Sequence, residues 1–277
     1  MRKRKYVIGV VAGMALSISV AGVAQAALVW QSQSLVVTPN SPAQDKKTPG
    51  PLNSFFTDVI TPYDTSGGGT PDRYATRTRV YFPKDFVFNV NGLAQCEPTP
   101  AFTNGTTANA VATCGQSVVS TPDHTNTNKA TLVSALGDVP AVVTAFNGTQ
   151  PAGLPTILLH SETPAANRTL IGTLKPSDQP GFGKMLDVPV DLGPFQGTAA
   201  ISDFRVTIGK VKLPKGAKNA SAAAKKKKKK PQKYYIMAKC SKKNWNFQAI
   251  TTYNTGPDSV ATSASKCKQK KAKKKKK

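Results

Sequence analysis

Short runs in which apolar and polar side chains alternate with a period of two residues recur along most of this chain. Trp245–Tyr253 shows the alternation plainly, and Phe86–Val90 and Ile201–Leu213 follow it as strand-like runs. Such runs are typical of strands that bury one face, and turn-forming pairs such as Asn91-Gly92 and Asn147-Gly148 separate them. The pattern predicts an all-β fold, a β-sandwich or jelly-roll-like arrangement of about a dozen short, mostly antiparallel strands.

One stretch departs from this period. Thr106–Thr113, which lies between Cys96 and Cys114 and contains alanines, predicts one short helical turn. With 21 Gly, 21 Pro and 19% charged residues, the rest of the composition suits strands joined by turns and argues against a helical enzyme or a coiled coil.

The net charge of +24 is confined to the two ends of the chain. Residues 27–214 carry equal numbers of acidic and basic side chains, whereas residues 215–277 carry a net charge of +20. The predicted organisation follows from this division. It consists of a signal peptide (1–26), a neutral β-sandwich body (27–214), a disordered lysine-rich loop (215–233), the last strands of the sandwich with a second disulfide (234–267) and a disordered poly-lysine tail (268–277).

The N-terminus has the form of an export signal. Arg2–Lys5 supply a positive region, Tyr6–Val23 an apolar stretch diluted by Gly and Ser, and Ala24-Gln25-Ala26 a cleavage site. An uncleaved membrane anchor is the weaker alternative, because the apolar stretch is at the lower length limit for a spanning helix. We therefore expect cleavage after Ala26 and a protein that is secreted or associated with the cell surface.

Four cysteines in an exported chain predict two disulfides, for which three connectivities are possible. The pairing of Cys96 with Cys114 and of Cys240 with Cys267 is favoured because it closes short loops. Trp245, which the second pair brackets, is expected to be buried beside that bridge. A metal site is not predicted, since the chain has no Cys-x-x-Cys motif.

Part of the chain resembles a group of exported β-rich proteins of high-GC Gram-positive bacteria that have no established activity. The resemblance spans roughly residues 79–267, and its first part is Val80-Tyr81-Phe82-Pro83-Lys84, Phe88-Asn89, Cys96, Cys114-Gly115 and Val142–Gly148. Its second part is Cys240, Lys243, Trp245, Phe247, Tyr253 and Cys267. The resemblance implies a secreted β-rich domain with these cysteines paired, and it supplies no catalytic residue.

Enzymatic chemistry is not predicted. The chain lacks Gly-x-Ser-x-Gly, His-Glu-x-x-His and phosphate-binding glycine loops. Its two histidines are interpreted as a solvated turn residue, His124, and a structural residue at a strand edge, His160. The loop from Asp64 to Asp72 and the pair Asp187 and Asp191 offer oxygen ligands, but both are interpreted as ordinary turn or strand-edge patterns. No catalytic residue, metal or cofactor is therefore predicted.

The sequence favours binding over catalysis. Dense lysines attract polyanions, so the expected partners are anionic cell-wall polymer, anionic lipid or extracellular nucleic acid, bound non-specifically, and no small-molecule substrate is identified. One alternative is a carbohydrate-binding or carbohydrate-active module, with Trp30, Tyr81 and Trp245 as aromatic candidates, and another is a purely structural coat or matrix component. The candidate polyanion-binding residues are Lys225, Lys226, Lys227, Lys228, Lys229, Lys230, Lys242, Lys243, Lys273, Lys274, Lys275, Lys276 and Lys277.

The relative position of the two lysine-rich segments depends on how the last strands pair. Their short connections predict an antiparallel meander of residues 201–213, 234–240, 245–253 and 259–267. In that arrangement the loop and the tail leave opposite ends of the sheet, roughly 25–30 Å apart. They would then form two independent patches that can bridge two anionic surfaces.

Overall fold

The computed structural model describes residues 29–64, 69–122, 128–150, 153–212 and 234–270. The predicted signal peptide, the lysine-rich loop and the end of the tail, residues 271–277, lie outside the described residues. Within the described part the strands and α-helices follow one another as β1 (Val29–Trp30), β2 (Ser34–Asn40), β3 (Gly50–Pro51), β4 (Ser54–Ile60), β5 (Tyr63–Asp64), β6 (Ala75–Pro83), β7 (Phe86–Phe88), α1 (Pro100–Asn104), α2 (Thr107–Cys114), β8 (Lys129–Ser134), β9 (Gly137–Gly148), β10 (Thr156–Glu162), β11 (Asn167–Pro176), β12 (Phe182–Pro189), β13 (Ala199–Gly209), β14 (Ile236–Ala238), β15 (Asn244–Tyr253) and β16 (Ser259–Lys266).

Most strands belong to one eleven-stranded sheet in the order β16-β15-β6-β12-β11-β10-β9-β8-β13-β4-β2, in which all neighbours pair antiparallel. Its two edge strands meet, because the Val37 N–H on β2 donates to Ser263 Oγ on β16 at 3.1 Å. Just beyond them, Gln44 forms a parallel bridge with Gln269. The sheet is therefore curled until it is nearly closed, and the predicted all-β fold of sandwich type with mostly antiparallel strands is confirmed.

The alternation seen in the sequence separates the inside of this curled sheet from its outside. In β2, Leu35 and Val37 are buried, whereas Val36 and Thr38 are exposed. In β15 every second residue from Trp245 to Tyr253 is buried and joins the interior. This is the two-residue period of a strand with one face packed on a core.

Small sheets close the two ends of the curled sheet. At one end β3, β14 and β7 form a three-stranded lid, in which Met237 pairs with Pro51 on one side and Val87 on the other. Phe86 and Ile236 from this lid join the main core. At the opposite end β1 pairs with β5.

The helices α1 and α2 pack against the outer face of β9 and β10, where Phe102 contacts Phe146 with ring centroids 5.0 Å apart. The Cys96–Cys114 disulfide, with Cα atoms 5.4 Å apart, joins the end of α2 to the segment that precedes α1. The predicted helical segment between the two cysteines is confirmed as α2. Sequence analysis missed α1, although Thr99 followed by Pro100 is a typical capped N-terminus with proline in the first turn.

The second disulfide joins Cys240 to Cys267, with Cα atoms 5.9 Å apart, and both pairings agree with the prediction. Trp245 is fully buried in the same core cluster as both cysteines. Its indole Nε1–H donates to the Lys239 carbonyl at 2.9 Å, so its polar atom is satisfied. The expected burial of Trp245 beside this bridge is confirmed.

The predicted meander of the last strands is wrong except for its final hairpin, in which β15 pairs antiparallel with β16. β13 pairs with β4 and β8 and not with β14, which belongs to the lid. The second neighbour of β15 is β6, which lies between β15 and β12. Counting directions around the antiparallel sheet, β13 and β16 run the same way, so both end beside the lid. The described chain therefore stops before the loop at Lys212, and before the last tail residues at Lys270, at the same end of the molecule.

Candidate functional site

The end of the molecule that carries the lid is rich in lysine, and we call it the basic end. Asp45 and Asp85 are the acidic residues of the connecting segments 41–49, 84–85, 210–212, 239–243 and 266–270 at this end, and Asp178 and Glu97 lie in two further connections there. The lysines of these segments are Lys46, Lys47, Lys84, Lys210, Lys212, Lys239, Lys242, Lys243, Lys266, Lys268 and Lys270. The described surface here is therefore strongly positive even before the remaining lysines of the sequence are added.

Asp45 and Asp85 fix the conformation of loops at the basic end. Asp45 Oδ1 accepts hydrogen bonds from the Lys47 N–H at 2.8 Å and the Thr48 N–H at 3.2 Å, and these bonds hold the pKa of Asp45 below its usual value. Asp85 is buried and accepts from the Ser241 N–H at 2.9 Å and the Ser241 hydroxyl at 2.7 Å. Neither carboxylate forms an ion pair with a lysine of the described chain.

The two lysine-rich segments join the basic end close to each other. Lys212 and Tyr234, which flank the undescribed loop, form an antiparallel bridge. From Tyr234 the chain reaches Cys240 in six residues, at most about 20 Å when extended. Beside Cys240, the Gln269 side-chain N–H donates to the Cys240 carbonyl at 3.1 Å. The start of the tail is thus anchored within the same region as the base of the loop.

The structure places two of the predicted polyanion-binding residues in this region. Lys242 and Lys243 are exposed in the turn before β15. The Cys267 N–H donates to the Lys243 carbonyl at 2.9 Å, so this turn lies directly beside the tail. The predicted binding residues 225–230 and 273–277 lie outside the described residues.

The opposite end, which we call the acidic end, holds Asp64, Asp72, Asp138, Asp191 and Asp258 in or beside its connecting segments. A cation is clamped here between aromatic rings. The Arg73 guanidinium carbon lies 4.3 Å from the ring centroid of Trp30 and 3.9 Å from that of Tyr253. The Trp30 indole N–H donates to the Tyr253 hydroxyl at 3.1 Å, so this cluster stabilises the closure of the acidic end.

A cavity of about 110 Å³ lies inside the curled sheet, between the lid and the acidic end. Its walls are mostly aliphatic and aromatic, and its lining contains no charged side chain. Val59, Phe204 and Val206 point into it and stay only partly buried. Left empty, a cavity of this size costs roughly 2–3 kcal/mol of stability. Sequence analysis did not find it, because the inward positions of the strands read simply as core.

The polar groups of the cavity are four threonines, Thr57, Thr61, Thr78 and Thr251. The Thr78 and Thr251 hydroxyl oxygens are 3.1 Å apart, and the Gln33 side-chain N–H donates to Thr251 Oγ1. Gln33 Oε1 is buried without a hydrogen-bond partner. If the amide were flipped, its nitrogen would take that place, so one polar atom stays free in either assignment. Thr61, Thr251 and Gln33 lie toward the acidic end, whereas Ile236 and Phe88 line the cavity at the lid.

His160 is buried beneath α1 on the outer face of β10. Its Nδ1 lies 3.1 Å from Thr169 Oγ1, while its Nε2 is buried without a partner. The Phe102 ring from α1 packs on the imidazole with centroids 5.5 Å apart. Burial lowers the pKa of His160, which favours the neutral ring. His160 lies in a central strand between β9 and β11, so its predicted position at a strand edge is wrong, and His124 lies outside the described residues.

The aspartates that were considered as oxygen ligands for a metal ion form ion pairs and hydrogen bonds within the fold. Asp187 is buried and binds Arg77 at 2.6 Å and Lys175 at 2.6 Å, which hold its pKa below the usual value. Asp191 Oδ1 accepts from the Gly193 N–H at 2.7 Å. Asp72 Oδ1 accepts from the Trp30 N–H at 3.0 Å. Among the described residues no three His, Cys, Asp or Glu side chains come together as metal ligands.

Comparison with protein-family models, with curated proteins and with solved structures returns no match. In the described part of the chain, no helix has the length and apolar character needed to cross a membrane.

Proposed function

We propose that the protein is a secreted, non-enzymatic binding protein that holds anionic polymers against its basic end. The observation that supports this proposal is that the two lysine-rich segments join the described structure at the same end. Both connect to the described structure at the end where Lys242, Lys243 and the other described lysines are concentrated. Lysines that are distant from one another in the sequence thereby lie at one end of the molecule.

The distance between the two lysine-rich segments matters because dissolved salt screens the electrostatic attraction that each segment exerts. At physiological ionic strength the screening length is about 8 Å, so patches at opposite ends of the sheet would act separately. Segments that start on one end can instead contact the same polymer and release its counterions together. We therefore favour capture of one polyanion by both segments over the bridging of two surfaces.

The proposed class of partner follows from the positive charge of the lysines alone. Anionic cell-wall polymer, anionic lipid and extracellular nucleic acid all present dense negative groups to lysines. Tyr81 and Trp245, two of the three aromatic residues considered for stacking or carbohydrate binding, are fully buried. This arrangement favours non-specific binding over a carbohydrate-binding module or base recognition. The two disulfides are compatible with an extracellular protein.

The test measures the salt dependence of binding to a single-stranded 30-nucleotide DNA and to heparin. A chain with residues 225–230 changed to Gln, a chain with residues 273–277 changed to Gln and a chain with both sets changed are compared with the parent. For DNA, each lost lysine contact lowers the slope of log K against log salt by about 0.7, so the doubly changed chain should lose most of its slope.

The matched control changes the same lysines to Arg and should keep the slope, because charge is preserved. Deleting residues 222–230 should also leave the melting temperature within a few degrees, since nothing apolar is removed from the core. A doubly changed chain that still binds with the parent's slope would overturn the proposal. Unchanged salt dependence with lost affinity would show that the lysines act through something other than charge.

A further inference from the structure

We propose that the cavity inside the curled sheet binds a small, uncharged amphiphile, a molecule with a short apolar body and one hydroxyl group. This site is separate from the basic end, and the inference does not depend on polyanion binding. The absence of charged side chains in the lining selects against a charged ligand, because burying an unpaired charge is very costly.

The size of the cavity limits the ligand. Native interiors leave few voids larger than a water molecule, so a cavity of about 110 Å³ in an otherwise filled core is unusual. An engineered apolar cavity of about 150 Å³ binds benzene and excludes water. The ligand should therefore be close in size to benzene or to a short-chain alcohol.

The polarity of the walls fixes how such a molecule lies. Phe88 and Ile236 from the lid line one end, which accepts only apolar atoms. At the other end, Thr251 and Thr61 line the cavity with their hydroxyl-bearing side chains. A ligand hydroxyl group can form a hydrogen bond with the Thr251 or Thr61 side chain while the apolar body extends toward the lid. Toward the acidic end, Ala75 and Ile201 line the cavity and remain partly exposed.

The experiment uses the mature chain and three probes of similar size, 1-hexanol, benzene and hexanoate. Binding is followed by methyl NMR shifts and by the melting temperature as each probe is titrated. We expect saturable shifts from 1-hexanol and benzene at methyl groups of Val206 and Ile208, and a rise in melting temperature. Hexanoate, in which a charged carboxylate replaces the CH2OH group of 1-hexanol, should bind at least tenfold more weakly.

Two substitutions test the position of the site. Val206→Phe fills the cavity and should abolish binding of both neutral probes, whereas Val260→Phe, on the exposed face of β16, should leave binding unchanged. If Val206→Phe fails to fold, Val206→Leu fills less space and should weaken both probes severalfold. Intact affinity in a folded Val206→Phe or Val206→Leu variant, or lost affinity in Val260→Phe, would overturn the assignment of the site.

A third substitution tests the proposed orientation of the ligand in the cavity. Thr251→Val keeps the shape of the side chain and removes a hydroxyl group that lines the cavity. It should weaken 1-hexanol by up to about tenfold and leave benzene nearly unchanged, as expected for the loss of one hydrogen bond. An equal loss for both probes would overturn the proposed orientation. Absence of saturable binding by either neutral probe to the parent chain would overturn the proposal as a whole.

Discussion

The basic and acidic ends of the curled sheet hold their charged groups in different ways. At the acidic end most charges have a partner, since Asp258 binds Arg79 at 3.1 Å, Asp72 accepts from Trp30, and Arg73 lies between two aromatic rings. At the basic end, Lys242 and Lys243 stand exposed without an ion pair among the described residues. Charge at the acidic end thus stabilises the fold, whereas charge at the basic end is available to a partner.

The two ends also differ in how they are closed. The basic end depends on a three-stranded lid, a disulfide and the buried Trp245, whereas the acidic end depends on a two-stranded sheet and the cluster around Arg73. Stability and binding should therefore respond differently to substitutions at each end.

Trp245→Ala should destabilise the protein by about 3–5 kcal/mol, because it removes the largest fully buried side chain of the core. Trp30→Ala should cost less, about 1–2 kcal/mol, because Trp30 is only partly buried and loses mainly its contact with Arg73. Urea unfolding of both variants measures the difference. Equal losses would show that the two ends contribute alike to stability.

Replacing Cys240 and Cys267 together with Ser should cost about 3–4 kcal/mol by the loop-entropy model, since the bridge spans 27 residues. Replacing Cys96 and Cys114, which span 18 residues, should cost a similar amount. Only the first change should also weaken polyanion binding, because it frees the start of the tail from the basic end. Binding that is lost equally in both variants would contradict a separate role for the basic end.

Lowering the pH should reduce the stability of the protein through His160, which lies in β10 and belongs to neither end. Because burial lowers its pKa in the folded state, the unfolded chain takes up the proton first. The stabilisation from neutral His160 is present above the unfolded pKa of about 6.5 and is lost as the pH falls toward the lowered folded value. In unfolding measured from pH 7.5 to 5, the parent should lose more stability than His160→Gln. Parallel pH curves would rule out this histidine as the source.

The smallest effect on stability should come from Lys242→Gln with Lys243→Gln, which should stay within about 0.5 kcal/mol of the parent. The same pair should lower the salt slope for single-stranded DNA by about 1.4, which corresponds to two contacts. Lys129→Gln, in the middle of the sheet opposite Arg205 and Val142, is the matched control and should leave the slope unchanged. A slope that responds equally to both would mean that binding is not localised.

Local features of the fold could be predicted from the sequence, and pairing between distant strands could not. The alternation in Trp245–Tyr253 and the spacing of the cysteines each depend on neighbouring residues, and both predictions are confirmed. The insertion of β6 next to β15 depends on contacts between residues about 170 positions apart, such as Gln248 with Tyr81, which no local pattern encodes. That one pairing determines at which end the tail emerges.

The cavity was missed for a related reason. Thr57, Thr78 and Thr251 occupy inward strand positions, but Thr78 and Thr251 become neighbours only when β15 pairs with β6, and Thr57 lines the same cavity only after the sheet curls. Inward threonines in an otherwise apolar period are a signal that could have been noticed. Their sequence positions give no indication of the space between them.

The distance between the base of the loop and the start of the tail tests the central claim most directly. Fluorophores are attached through noncanonical amino acids at position 212 with position 270, and at position 212 with position 136, where Leu136 is exposed at the acidic end. The account predicts that energy transfer gives a separation below about 30 Å for the first pair and a longer one for the second, because β13 alone extends over about 35 Å. A separation between positions 212 and 270 that equals or exceeds that between 212 and 136 would contradict the account.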